Sequence, residues 1–139
     1  MRRLDDTEVA ELLDSDAVAR LATIDADGYP HVTPIWFLWA DGLMRLTSYA
    51  DRPHLDRIRG NPRVGLVVDT EAAQRPDGER PNRQVRITGD ATVAVDTGGE
   101  WTRRIRRKYL GAANEGTRTT GERVVITLRP TRFRAVASV

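Results

Sequence analysis

Ala19-Arg20-Leu21-Ala22-Thr23-Ile24-Asp25-Ala26-Asp27-Gly28-Tyr29-Pro30-His31-Val32-Thr33-Pro34-Ile35-Trp36-Phe37-Leu38-Trp39 is the stretch that decides the fold. Apolar and β-branched residues dominate both halves, and residues 25–28 between them carry the Asp and Gly of a turn. That combination predicts a β-hairpin. A second turn, Ala40-Asp41-Gly42, leads into Leu43-Met44-Arg45-Leu46-Thr47-Ser48, so the first third reads as a three-strand meander. Pro30 and Pro34 cannot donate to a sheet ladder. They place their strand at an edge, at a bulge or at a strand start.

Outward from this stretch the elements are short. Upstream, acids in a first turn and Val9, Leu12 and Leu13 at helical spacing predict a helix over residues 6–15. Downstream, Pro53 suits a first helical turn, Leu55 and Ile58 lie three apart, and Gly60 suits a stop, so a short helix is expected there. A buried strand follows over residues 63–69, then a polar loop over residues 70–82 with Pro76, Gly78 and Pro81. Residues 84–88 and 91–95 read as two strands separated by Gly89. Residues 99–110 read as a helix with Trp101, Ile105, Lys108 and Tyr109 along it, and residues 111–121 as a mobile segment. Residues 123–128 close the order as a strand, with residues 133–136 as a further candidate. Short strands with turn signals every eight to twelve residues predict a mainly β barrel or sandwich with peripheral helices. Strict βαβ alternation is absent, which argues against a doubly wound sheet.

Composition narrows the chemistry. The 139 residues predict one domain spanning 1–139. There is no cysteine, so disulfides and thiolate chemistry are excluded, and two histidines are too few for a multi-histidine metal centre. No metal ligand set is therefore expected. The net charge is only +2, which argues against a general nucleic-acid binder. The first residues lack a signal-peptide pattern and no apolar run is long enough for a membrane span, so a cytoplasmic protein is expected. Basic residues are almost all arginine, with Lys108 the single lysine, and guanidinium forks suit phosphate and carboxylate groups.

No catalytic constellation stands out. Neither histidine accompanies a nucleophile-elbow pattern, and no strand–GxGxxG–helix setting is present. The sharpest cluster is Thr47-Ser48, then Arg52, then His54 at a helix start. Hydroxyls, a guanidinium and free helix amides can together hold a phosphate. The alternative is an ordinary strand-to-helix connection with a solvated arginine. Trp36 and Trp39, three apart on a strand, face opposite sides of the sheet. One packs inward and the other meets a partner subunit or a planar ligand, unless both serve only packing. His31 reads as a surface or edge residue, without a visible carboxylate partner for base catalysis. Arg103, Arg104, Arg106, Arg107 and Lys108 form a basic helix face, read as solvated, as paired with acids or as covering a phosphate-bearing ligand.

Several of these segments resemble one known family. Residues 19–36 are similar to the opening hairpin of the pyridoxamine 5′-phosphate oxidase-like superfamily, with the form LATxxxDGxPxxxPxWF. Ser48 to Arg52, His54 and then Asn61-Pro62-Arg63-Val64 resemble its helix followed by an N/D-P-R-V strand. Arg83-Gln84-Val85-Arg86-Ile87-Thr88-Gly89-Asp90-Ala91 resembles its RQVRVxGxA strand, and Arg107-Lys108-Tyr109-Leu110-Gly111 its RYxG helix end. The matches run in the family's order over nearly the whole chain. The resemblance implies a six-stranded split β-barrel working as a homodimer, with two cofactor sites at the dimer interface. It implies FMN or the deazaflavin coenzyme F420 as cofactor, haem or biliverdin being bound by some members. Carried over by position, Val32, Thr33, Pro34, Ile35 and Trp36 would run along the cofactor ring. Thr47 and Ser48 would approach the ring edge and ribityl chain, Arg52 and His54 would bind phosphate, and Gln84 would contact the ring.

Two features depart from the family. His54 stands where relatives commonly carry a lysine, and the substrate-binding C-terminal extension of pyridoxamine-phosphate oxidases proper is not matched. The arginine-rich form looks more like the F420-dependent branch, and pyridoxal-phosphate synthesis is not expected. The implied function is an oxidoreductase passing hydride to a small-molecule acceptor. The alternative is a non-catalytic binding or carrier protein for flavin, deazaflavin or haem.

Overall fold

The computed structural model describes residues 1–114 and 121–138. In chain order the elements are β1 (Arg2–Arg3), α1 (Asp6–Asp14), β2 (Ala19–Ile24), β3 (Pro30–Ile35), β4 (Phe37–Ala40), β5 (Leu43–Tyr49), α2 (Pro53–Gly60), β6 (Arg63–Glu71), β7 (Asn82–Val95), α3 (Glu100–Leu110) and β8 (Arg123–Ala137). Single 3-10 turns, Thr97–Gly99 and Ala112–Asn114, flank α3. Part of the segment read as mobile, residues 115–120, lies outside the described residues.

All strands join one antiparallel sheet in the order β3-β2-β6-β7-β8-β5-β4, with β1 paired to β8 beyond it. The first meander is thereby corrected. β3 pairs with β2 at one edge, whereas β4 pairs with β5 at the other, and only Trp36 separates them. One run of chain thus supplies both edges, and the sheet curls until they meet. Counting β3 and β4 as one bent strand and setting aside the two-residue β1 leaves six strands, as expected of a split barrel. The prolines agree with this geometry, since Pro30 and Pro34 both lie on edge strand β3.

Residues 84–88 and 91–95 are one long strand rather than two, as are residues 123–128 and 133–136. Gly89 is the reason the first reading broke. The β7–β8 register shifts between Thr88 and Gly89, and a Cβ at Gly89 would overlap the Arg129 carbonyl oxygen and sit 3.0 Å from Pro130 Cα. The glycine lets two backbones approach where the strands bend, and it does not end them.

The core gathers inward-facing residues from every long strand: Leu21, Phe37, Met44, Leu46, Leu66, Val68, Val85, Ile87, Ile126 and Leu128 are all buried. α1 adds Leu12 and Leu13, and α2 adds Leu55 and Ile58. α1 starts with a full capping box: Asp5 Oδ1 accepts from the Glu8 N–H at 2.8 Å and Glu8 Oε1 accepts from the Asp5 N–H at 3.1 Å. α3 is held by the buried Asp96 carboxylate, which accepts from the N–H groups of Trp101 and Thr102 and from the Thr102 hydroxyl. The negative charge also complements the helix N-terminus.

Gly89→Ala is expected to lower stability by about 2–3 kcal/mol, the range for overpacking against fixed backbone. Urea denaturation at equilibrium measures it; an unchanged midpoint would mean that β7 and β8 can separate there at little cost.

Candidate functional site

The site begins where the two edges meet. Trp36 stacks on Tyr109 with ring centroids 4.6 Å apart and planes 3° from parallel. The Tyr109 hydroxyl donates to the Ala17 carbonyl at 2.8 Å and accepts from the Phe37 N–H at 3.3 Å. Burial pushes the Tyr109 phenol up to about 12, so it stays a neutral donor. Lys108 Nζ lies 3.5 Å from the Phe37 ring centroid and donates to the Phe37 carbonyl at 3.0 Å. Burial lowers the Lys108 ammonium to about 8, opposed by the charges of Asp14 and Asp16. The expected solvated basic face of α3 is corrected here: Lys108 turns in to fasten the β3–β4 junction. Arg104 joins Arg45 over the Trp101 ring, at 4.4 and 4.5 Å.

Next to this junction a groove of two adjoining lobes opens. The first, about 470 Å³, is lined by Thr33, Pro34 and Ile35 of β3, Thr47, Ser48 and Tyr49 of β5, Arg52, Pro53, His54 and Arg57 at α2, and Arg123 of β8. The second, about 560 Å³, shares Pro34, Ile35, Thr47, Tyr49 and Arg123 and adds Val18, Trp36, Ile105 and Arg106. Seven of the ten residues expected from sequence meet in the first lobe, and Trp36 lines the second. Val32 and Gln84 do not line either. Val32 is exposed on the outer face of β3. The Gln84 amide donates to Asn82 Oδ1 at 3.1 Å and accepts from Arg86 Nε at 2.6 Å.

Among the described residues the lining is cationic and contains no carboxylate. Arg52 lies 5.5 Å and Arg123 4.3 Å from the Tyr49 ring centroid. Arg123 also donates to Thr47 Oγ1 at 3.2 Å, and Arg57 Nε donates to Thr23 Oγ1 at 2.8 Å. The acid in the first turn of α2, Asp56, is exposed and sits 3.4 Å from Arg59 instead. Arg52 is the N-cap of α2 and makes no side-chain cap, and Pro53 follows at the first helical position. His54 is 7 % exposed and its Nε2 has no hydrogen-bond partner, as is also true of Arg123 Nε. Burial first, then the charges of Arg57 and Arg52, push the His54 imidazole below its usual value, so it is neutral at pH 7. A buried imidazole nitrogen and a guanidinium N–H without partners, beside guanidiniums that have no carboxylate partner among the described residues, fit an anionic group such as a phosphate.

Sequence reasoning missed Arg57, Tyr49 and Arg123. Arg57 had a signal, since it follows His54 by three residues on the same helix face. Arg123 had none locally: it reaches the groove only because β5 pairs with β8, setting Tyr49 opposite Arg123. His31 lies on the exposed edge strand as expected. It does have a carboxylate neighbour, Asp25 Oδ2 at 2.8 Å across the hairpin, and neither residue lines the groove. Among the described residues no helix is long and apolar enough to cross a membrane.

A family profile described as pyridoxamine 5′-phosphate oxidase matches residues 5–137. Among solved structures, one titled F420 reductase is 28% identical, with a TM-score of 0.65 over 89% of this chain and 94% of that one. A FAD-binding protein from Mesorhizobium loti is 21% identical, with a TM-score of 0.72 over 99% and 98% of the two chains. A FAD and haem binding protein from Mycobacterium smegmatis is 14% identical, with a TM-score of 0.74 over 94% and 70%. The latter two likenesses are of fold. Comparison with curated proteins returns no match.

The depressed His54 sets a pH dependence. A base with a lowered folded-state pKa binds fewer protons folded than unfolded, so stability is complete above about 6.5, the unfolded value, and falls as pH drops below it. Melting curves from pH 8 to pH 5 should show a smaller acid loss in His54→Asn than in the parent protein; identical slopes would place His54 in water instead.

Proposed function

Because the chain belongs to the pyridoxamine 5′-phosphate oxidase family, we propose that it is an oxidoreductase that holds FMN or coenzyme F420 in this groove and passes hydride to a small-molecule acceptor. The reading rests on one observation. An edge strand, an aromatic shelf and three guanidiniums that have no carboxylate partner among the described residues converge on a single cleft. The likeness to an F420 reductase supports the deazaflavin form, and the FAD-binding relatives support a site for a flat heterocycle.

In this reading the residues divide the work by chemistry. Arg52, Arg57 and Arg123 hold the anionic tail, with the hydroxyls of Thr47 and Ser48 beside them. Guanidinium forks match phosphate oxygens in geometry as well as charge. β3 has a partner on one side only, so its outward N–H and C=O groups are free for the polar edge of a ring. Backbone groups alternate sides along a strand, so Thr33 and Ile35 direct theirs to β2, Pro34 has no N–H to give, and Val32 keeps the outward donor of β3. Trp36, stiffened by its stack on Tyr109, closes the second lobe and excludes water from it. The cofactor supplies the hydride chemistry when bound; the protein orients it and fixes its field. Among the described residues no side chain in the lining is a carboxylic acid, and His54 is held neutral, so in this reading the accompanying proton comes from solvent. That same scarcity of proton donors favours, as the second reading, a carrier or binding protein without turnover.

A second copy belongs to the proposal. Val32, Ala22, Gly65 and Thr88 stand directly opposite one another across β3, β2, β6 and β7, and therefore share one outer face of the sheet. Gln84 alternates onto that same face. The two expected residues absent from their own groove are thus positioned to serve the groove of a neighbour in a homodimer.

Fluorescence titration with FMN and with F420 tests the reading. Binding of one of them in the micromolar range is expected, and Arg52→Ala should weaken it by about 1.5–3 kcal/mol, the worth of a charged hydrogen bond. No binding of either cofactor, or none of the loss in the variant, would contradict the assignment. Binding without turnover over a panel of acceptors would select the carrier reading.

A further inference from the structure

Six arginines outside the groove are held by carboxylates, and two inside it are held by hydroxyls. Outside the groove, Arg2, Arg20, Arg59, Arg75, Arg80 and Arg83 each sit against an aspartate or glutamate, at 2.5 to 3.7 Å. Inside it, Arg57 is tethered through Nε to the Thr23 hydroxyl at 2.8 Å, and Arg123 donates through its terminal nitrogen to the Thr47 hydroxyl at 3.2 Å. Among the described residues neither has a carboxylate partner.

The difference has an electrostatic consequence. A carboxylate would orient a guanidinium and cancel its charge at the same time. A hydroxyl orients it and leaves the charge intact. Thr23 is fully buried on the inner face of β2, a position where a valine would fill the same space. Its hydroxyl is therefore not required for packing, and among the described residues its side-chain partner is Arg57. Because the tether takes Nε, the two terminal nitrogens of Arg57 remain for a ligand. Arg57 stands on the same helix face as His54, whose imidazole responds to its charge.

We propose that Thr23 is a positioning residue: it holds Arg57 in the groove by a neutral tether, keeping the full guanidinium charge for the anionic tail of the ligand. This rests on the cofactor assignment above for the identity of the ligand, but the tether itself concerns any phosphate. Thr23 touches no ligand, and its effect passes entirely through Arg57. The consequence is selective. Loss of the hydroxyl should weaken ligands that carry phosphate and leave their phosphate-free counterparts alone.

The test uses the full chain as Thr23→Val, Thr23→Ser and Arg57→Lys, the last of which has no Nε to take the tether. FMN against riboflavin, and F420 against its phosphate-free deazaflavin, are titrated by fluorescence. Inorganic pyrophosphate is titrated by thermal shift. Thr23→Val should bind the phosphate-bearing ligand roughly 3- to 10-fold more weakly, the range of one hydrogen bond, with the phosphate-free ligand unchanged. Thr23→Ser should stay near the parent value, and combining Thr23→Val with Arg57→Lys should add no further loss. Equal loss for phosphate-bearing and phosphate-free ligands, no loss at all, or additive effects in the double variant would overturn the proposal. If Thr23→Val does not fold, Thr23→Ser and Arg57→Lys still decide it: the serine variant must keep pyrophosphate stabilisation and the lysine variant must lose it. Thr23-dependent pyrophosphate binding with no affinity for either cofactor would sink the cofactor assignment and leave the tether standing.

Discussion

Trp36 is the hinge between two strands that lie at opposite edges of the same sheet, and the architecture depends on keeping that hinge closed. A sheet left open there would expose two unpaired edges and the floor of its own core. The closure is held by α3, which ends on the junction with Tyr109 and Lys108: one ring stack, one hydroxyl bridging Ala17 and Phe37, and one ammonium on the Phe37 carbonyl. Placing Lys108 there carries a cost, visible in its lowered affinity for a proton. A buried amine is tolerated because the carbonyl it reaches would otherwise lose part of its hydrogen bonding.

The groove is a by-product of this closure. Where β3 leaves the barrel wall to become β4, the strand stops following its neighbours and a cleft opens beside β5 and α2. Every polar residue described in that cleft is positive or neutral. Six arginines elsewhere on the surface are each matched with an acid. A chain with nearly equal numbers of acidic and basic residues can thus carry a strongly positive cleft without being a basic protein. Local pairing, and not net charge, decides where an anion goes. The neutral His54 fits the same scheme. It contributes a donor-acceptor ring at low electrostatic cost beside Arg52 and Arg57, where a lysine would add a fourth positive charge to a lobe that already holds three guanidiniums.

The fold was largely legible in the sequence because its signals are local. Capping residues placed α1, Pro53 and Gly60 bracketed α2, and the alternating runs placed the strands. What escaped was long-range. Nothing in residues 29–39 announces that one continuous apolar run will be shared between two edges, since each half is an ordinary strand by propensity. Gly89 was misread as a stop because a glycine that ends a strand and a glycine that lets two bent strands touch look the same in one dimension. In the site, Thr47, Ser48, Arg52 and His54 were legible as neighbours along the chain. Arg123 was not, because it is 71 positions from Arg52 and arrives by strand pairing alone. Thr23 shows no sign of its role along the chain, because its partner Arg57 is 34 residues away.

A crystal structure with FMN or F420 bound tests the central claim most directly. The account predicts the cofactor's phosphate within hydrogen-bond distance of Arg52, Arg57 and Arg123, and its ring along Thr33–Trp36, with a second copy of the chain closing the seam. A cofactor bound elsewhere, or a phosphate that leaves those three guanidiniums in solvent, would contradict it.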